Sequence, residues 1–143
     1  MRSRLTLAAV ALLVLALPAS AVAAQKVFVE PYLNQGPAQV RPHEVLLAED
    51  GILSLYAIHY ESYGGATATA TGRGYTRGCV PDCAQGKVQR PRAKIRFSQV
   101  TRCEGKLIYA RLQYSLIGPI PAGFERRATY DLRPIDEHGK PVC

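Results

Sequence analysis

His59–Lys87 reads HYESYGGATATATGRGYTRGCVPDCAQGK, and the fold is decided in this stretch. Ala66 to Thr71 alternates strictly, so Ala66, Ala68 and Ala70 share one face of a strand and Thr67, Thr69 and Thr71 the other. A face of small residues admits the close approach of a bulky side chain such as Tyr or Phe from a facing sheet. Just upstream, Tyr60-Glu61-Ser62-Tyr63-Gly64-Gly65 predicts a corner, because two glycines permit a bend that a side chain would forbid. Gly72 and Gly74 predict a bulge or a close backbone contact. Cys79-Val80-Pro81-Asp82-Cys83 ends the stretch as a turn.

On the N-terminal side, Val45-Leu46-Leu47 and Ile52 to Ile58 flank Glu49-Asp50-Gly51, a hairpin whose Asp-Gly pair favours a tight primed turn. Simple alternation places Leu53, Leu55, Ala57 and His59 on one face and Ile52, Ser54, Tyr56, Ile58 and Tyr60 on the other. Both faces carry apolar residues, which predicts a central strand. Residues 25–41, punctuated by Pro31 and Pro37, read as an extended, loosely docked arm with Val27-Phe28-Val29 as its strand-like piece. On the C-terminal side, Arg90 to Ser98, Lys106 to Leu116 and Glu125 to Arg133 read as further strands. No window carries a helical period with caps. The prediction is all-β: a small antiparallel sandwich or open barrel of six or seven strands over residues 42–143, stapled by disulfides.

Residues 1–24 have the form of a cleaved secretory signal: Arg2 and Arg4, an apolar run from Leu5 to Leu17, Pro18, and small residues before Gln25. The expected mature chain is secreted and extracellular, with no transmembrane segment. It keeps sixteen Lys and Arg against eleven Asp and Glu. The excess is local: between Arg73 and Arg111, ten basic residues face only Asp82 and Glu104. Such asymmetry points to an anionic partner or surface.

Four cysteines in an exported chain predict two disulfides. If residues 66–79 and 94–103 pair as a hairpin, Cys79 and Cys83 lie at its loop end and Cys103 about 25 Å away at ~3.3 Å per residue. That favours Cys79–Cys83 and Cys103–Cys143. The same thiols with His138 have the residue types of a tetrahedral metal site, but the export signal makes disulfides the expectation, with no metal and no cofactor.

The corner resembles a family of small secreted proteins of unknown function from high-GC Gram-positive bacteria. The likeness rests on Tyr60-Glu61-Ser62-Tyr63-Gly64, on Ala70-Thr71-Gly72-Arg73-Gly74, and on Cys79-Val80-Pro81-Asp82-Cys83-Ala84-Gln85-Gly86, within residues 41–110. Tyr60 and Tyr63 stand where that family usually shows tryptophan. The resemblance implies export and a similar fold, and no activity.

Chemistry is sparse. Ser62, Glu61 and His59 are near in sequence, but alternation sends Ser62 to the face opposite His59 and Glu61, a poor relay. No hydrolase elbow and no metalloprotease motif occurs, so no catalytic residue is assigned and a non-catalytic protein is expected. The binding candidates are Arg90, Arg92, Lys94 and Arg96, which alternate with Ala93, Ile95 and Phe97 and form a cationic ladder. Two readings compete for the ladder: a rail for an anionic cell-wall polymer, or Lys and Arg guarding an exposed edge strand. The lack of interleaved aromatics speaks against sequence-specific nucleic acid. The alternative function is an inhibitor or protein ligand of an extracellular enzyme, presenting the Cys79–Cys83 turn or Ile117–Pro121.

Overall fold

Pairing, not helical periodicity, organises this chain, and the computed structural model describes it over residues 26–31, 37–48 and 50–143. The expected leader, residues 1–24, lies outside the described residues. The strands are β1 (Val27–Phe28), β2 (Glu44–Leu46), β3 (Leu53–Ser62), β4 (Ala68–Arg77), β5 (Val88–Gln89), β6 (Arg92–Cys103), β7 (Lys106–Ile117) and β8 (Arg127–Asp131). They join one sheet in the order β1-β7-β6-β4-β3-β2, with β5 beside β4 and β8 beside β7. All neighbours are antiparallel except β1 and β7, which run parallel through Val27↔Leu107 and Phe28↔Ile108. The sheet curls into a half-barrel, so the open barrel rather than the sandwich is the architecture, with eight strands.

The twist puts one face of every long strand into a common core. Ala68 and Ala70 of β4, Ala93, Ile95 and Phe97 of β6, and Leu112, Tyr114 and Leu116 of β7 are all buried there. The alanines make room as expected, but for neighbours in the same sheet. Tyr60 from β3 and Phe97 from β6 flank β4 and stack with ring centroids 5.8 Å apart. Gly72 and Gly74 permit close approach, as the sequence predicts. A Cβ on Gly72 would sit 3.0 Å from the Tyr56 carbonyl oxygen, and one on Gly74 would sit 2.8 Å from a Leu116 methyl.

Simple alternation fails in β3. Ala57 adopts φ +50° and forms a bulge opposite Gly72, after which the faces exchange. Leu53, Leu55 and Ile58 are buried, with Tyr60 packed beside them, while Ala57 and His59 are exposed. A second irregularity near Glu61 puts Ser62 beside Thr69, where their hydroxyls lie 2.9 Å apart. The loop between β2 and β3 is also longer than a two-residue turn: Leu47 N–H bonds Leu53 C=O, and Gly51 N–H bonds Ala48 C=O.

The arm expected to dock loosely is instead part of the core. Val27, Val29, Glu30 and Pro31 are buried, and the Pro31 carbonyl accepts from Leu46 N–H at 2.7 Å. The segment thus spans from the β7 edge to the β2 edge and closes one end of the barrel. Tyrosines hold it there. Tyr63 Oη donates to the Val27 carbonyl (2.7 Å) and accepts from Arg41 N–H, while Tyr60 Oη donates to the Pro42 carbonyl. Tyr109 Oη accepts from Gly64 N–H and donates to the Gly65 carbonyl, fixing the corner, where Gly64 has φ +88°. Tyr60 and Tyr63 are therefore core residues with polar tips. Burial raises both phenols above their ordinary range, so the hydroxyls stay protonated as donors.

Both expected disulfides are present, Cys79–Cys83 and Cys103–Cys143. The second ties the last residue of the chain to the turn end of β6, where Glu104 (φ +47°) and Gly105 (φ +79°) make a two-residue link to β7.

Candidate anion-binding face

With one face of the half-barrel committed to the core, the outward residues of β3, β4, β6, β7 and β8 form the outer face. Strand register sorts them into rows that cross the sheet. One row runs Ser62, Thr69, Arg96, Gln113, Thr129. The next runs His59, Thr71, Lys94, Ser115, Arg127. The third runs Glu44, Tyr56, Arg73, Arg92, Ile117. Neighbours within a row are about 4.8 Å apart and successive rows about 6.5–7 Å apart.

Between rows lie troughs. The first has a volume of about 600 Å³, with Thr69, Arg96, Gln113 and Thr129 as one bank and Thr71, Lys94, Ser115 and Arg127 as the other. Its floor is the backbone of Ala70, Ile95, Tyr114 and Ala128, whose side chains point into the core. The second trough, about 650 Å³, lies between the Lys94 row and Arg73, Arg92 and Ile117, over Gly72 and Ala93. Lys94 stands on the ridge the two troughs share.

The cations at the centre of this face make no ion pair with any described residue. Among the described residues the close contacts between basic and acidic side chains are Asp131–Arg133 and Glu137–His138, and neither is in a trough. Arg92, Lys94, Arg96 and Arg127 are exposed without a carboxylate in contact, and Glu61 is the one acid lining the first trough. Threonine and serine hydroxyls fill the positions between the cations. The arrangement offers charge-assisted donors beside neutral hydroxyls along an open channel, which suits a chain of anionic groups better than a single enclosed anion.

Three of the four ladder residues come together here. Arg92, Lys94 and Arg96 stand on the outer face of β6, whereas Arg90 precedes the strand and lies over the Tyr75 ring at 5.7 Å. The edge-guarding reading does not survive, because β6 is paired on both sides, with β4 and with β7. Arg127 and Thr129 of the channel go unrecognised in the sequence, since only the register of β7 with β8 brings them beside the β6 cations. Other basic residues of the cluster are used elsewhere. Arg77 bonds the Tyr75 hydroxyl and the Ala84 carbonyl, and Arg102 bonds the Gly105 carbonyl.

The remaining chemical candidates have structural uses. All four cysteine sulfurs are consumed by disulfides, which removes the thiolates a tetrahedral metal site would need. Ser62 Oγ accepts from Thr69 N–H (3.0 Å) and lies against its hydroxyl. Comparison of the chain with protein-family models, with curated proteins and with solved structures found no match.

Proposed function

We propose that this is an exported, non-catalytic β-domain that binds anionic cell-envelope polymers across its outer face. The observation carrying this reading is the line of Arg92, Lys94 and Arg96 at the centre of the sheet, without acidic partners, bordering two open channels. A strand buried on both edges gains nothing from charge as protection against edge pairing. Clustered unpaired cations cost self-repulsion, and a polyanion offsets that cost. The channels run across the strands, so a polymer would lie perpendicular to β6, with Lys94 and Arg127 about 10 Å apart as successive contacts on one bank.

The test is binding of the purified protein to cell-wall preparations and to inorganic polyphosphate across a salt series. The Arg92→Ser/Lys94→Ser/Arg96→Ser variant runs beside wild type and beside Arg90→Ser. Affinity should fall with salt, the triple variant should lose most of it and reduce the log–log slope by roughly two to three, and Arg90→Ser should bind like wild type. Wild-type binding that is absent, or unchanged in the triple variant, refutes the reading.

A second reading is supported by the cysteine loop. Residues 79–85 are all exposed, and Val80 is 79% exposed within a ring closed by Cys79–Cys83. We propose, as the alternative, that this loop is presented to an extracellular enzyme as a protein ligand. Inhibition of secreted proteases that disappears in Val80→Asp would favour it over polymer binding.

A further inference from the structure

The open side of the half-barrel ends at β8, which pairs with β7 alone. The hydrogen-bonding parity of β8 follows from its two ends: Leu116 N–H bonds the Arg126 carbonyl, and Leu132 N–H bonds the Ala110 carbonyl. Antiparallel pairs alternate, so Ala128 and Tyr130 turn their backbone groups toward β7. Arg127, Thr129 and Asp131 therefore turn theirs outward, and among the described residues no backbone or side-chain partner reaches them.

We propose that this edge is a self-recognition surface: two copies of the chain pair β8 to β8 antiparallel about a two-fold axis at Thr129. In that register each Thr129 faces its counterpart, and each Arg127 faces Asp131 of the other copy, twice by symmetry. The charges match in this arrangement and in no register shifted by two residues, where Arg127 or Asp131 meets Thr129. Arg127 has no carboxylate partner within one copy, and Asp131, although held by Arg133, keeps an exposed carboxylate able to accept further bonds. On the opposite face, Ala128 and Tyr130 border an apolar cleft of about 430 Å³ reaching to Phe124 and Leu53. A second copy brings its own Tyr130 opposite Ala128 and covers that cleft's rim. Pairing also joins the two outer faces through Thr129, so the row containing Arg96 continues from one copy into the next. The inference stands whether or not that face binds a polymer.

Sedimentation of the purified protein over a concentration series tests it. Wild type should sediment as a dimer at the higher concentrations. Arg127→Asp and Asp131→Arg should each be monomeric, and the Arg127→Asp/Asp131→Arg double variant should dimerise again, because the swap recreates both cross-copy pairs. Thr129→Pro removes an outward N–H without touching the β7 ladder, so it should be monomeric with unchanged far-ultraviolet circular dichroism. That variant decides the matter should a charge reversal fail to fold. A monomeric wild type at every soluble concentration, a dimer indifferent to the single reversals or to Thr129→Pro, or a folded double variant that stays monomeric overturns the proposal.

Discussion

At Gly86 the backbone leaving the cysteine loop touches the backbone entering it: a Cβ there would lie 1.5 Å from the Gly78 carbonyl oxygen. The opposing atom belongs to the main chain, so no rotamer change relieves the clash. Gly86→Ala should cost about 3 kcal/mol or more, read as a lower urea midpoint with an unchanged m-value. Glu30 makes the contrasting case. Burial raises its carboxyl above the ordinary range, Lys106 opposes the rise, and Glu104 adds to it. The native state then holds a proton at pH values where the unfolded chain has lost it. This contribution is complete below the ordinary carboxylate value and is lost as pH rises through the raised one. Ionisation of Glu30 in this buried position therefore weakens the fold. Glu30→Gln should raise the melting temperature by about 2–5 °C at pH above the raised carboxyl value, with the gain vanishing as the solution is acidified below the ordinary carboxylate range.

Among the elements, the N-terminal segment depends on hydroxyls. Tyr63→Phe keeps the ring contacts with Tyr60 and Tyr109 but leaves the Val27 carbonyl and Arg41 N–H without their partner. It should cost about 1–2 kcal/mol, and hydrogen exchange should quicken at residues 27–31 before it does in β6. The strands themselves were legible: Ala-Thr alternation gave β4, Ala93, Ile95 and Phe97 gave the core face of β6, and the loop-end placement of Cys79 and Cys83 gave the disulfide pairing. What escaped was set by single residues or by distant ones. Ala57 reverses the faces of β3, yet alanine carries no mark of a left-handed backbone; the cue was Gly72 on the neighbouring strand. Val27 and Val29 alternate like a strand, but their burial depends on β7 and β2, eighty and about sixteen positions away. The cationic face was half legible, because Arg92, Lys94 and Arg96 share a parity that sequence shows. Arg127 joins them through pairing across β7, which no local pattern encodes.

For the whole molecule, charge and fold pull against each other. Arg92, Lys94, Arg96 and Arg127 share one surface with a single lining acid, so the folded state concentrates repulsion that the unfolded chain disperses. Lys94→Thr should raise the melting temperature by about 1–3 °C at low ionic strength, and the gain should vanish near 1 M salt, where the Debye length is about 3 Å. The opposite strategy holds the first and last described segments, one by the parallel pairing of Val27 with Leu107 and the other by the Cys103–Cys143 bridge. That parallel contact has a consequence in time. β6 and β7 are joined by two residues and can zip together at the pace of a hairpin, on the order of microseconds. The parallel ladder of β1 must wait until β7 exists, roughly eighty residues on, even though Val29 bonds Gln39 and Pro31 bonds Leu46 much nearer in sequence. We expect its docking to be the slowest native contact to form and its release the earliest step of unfolding. In a chain that emerges from the ribosome N-terminus first, the earliest of the described strands would then be the last to complete its pairing.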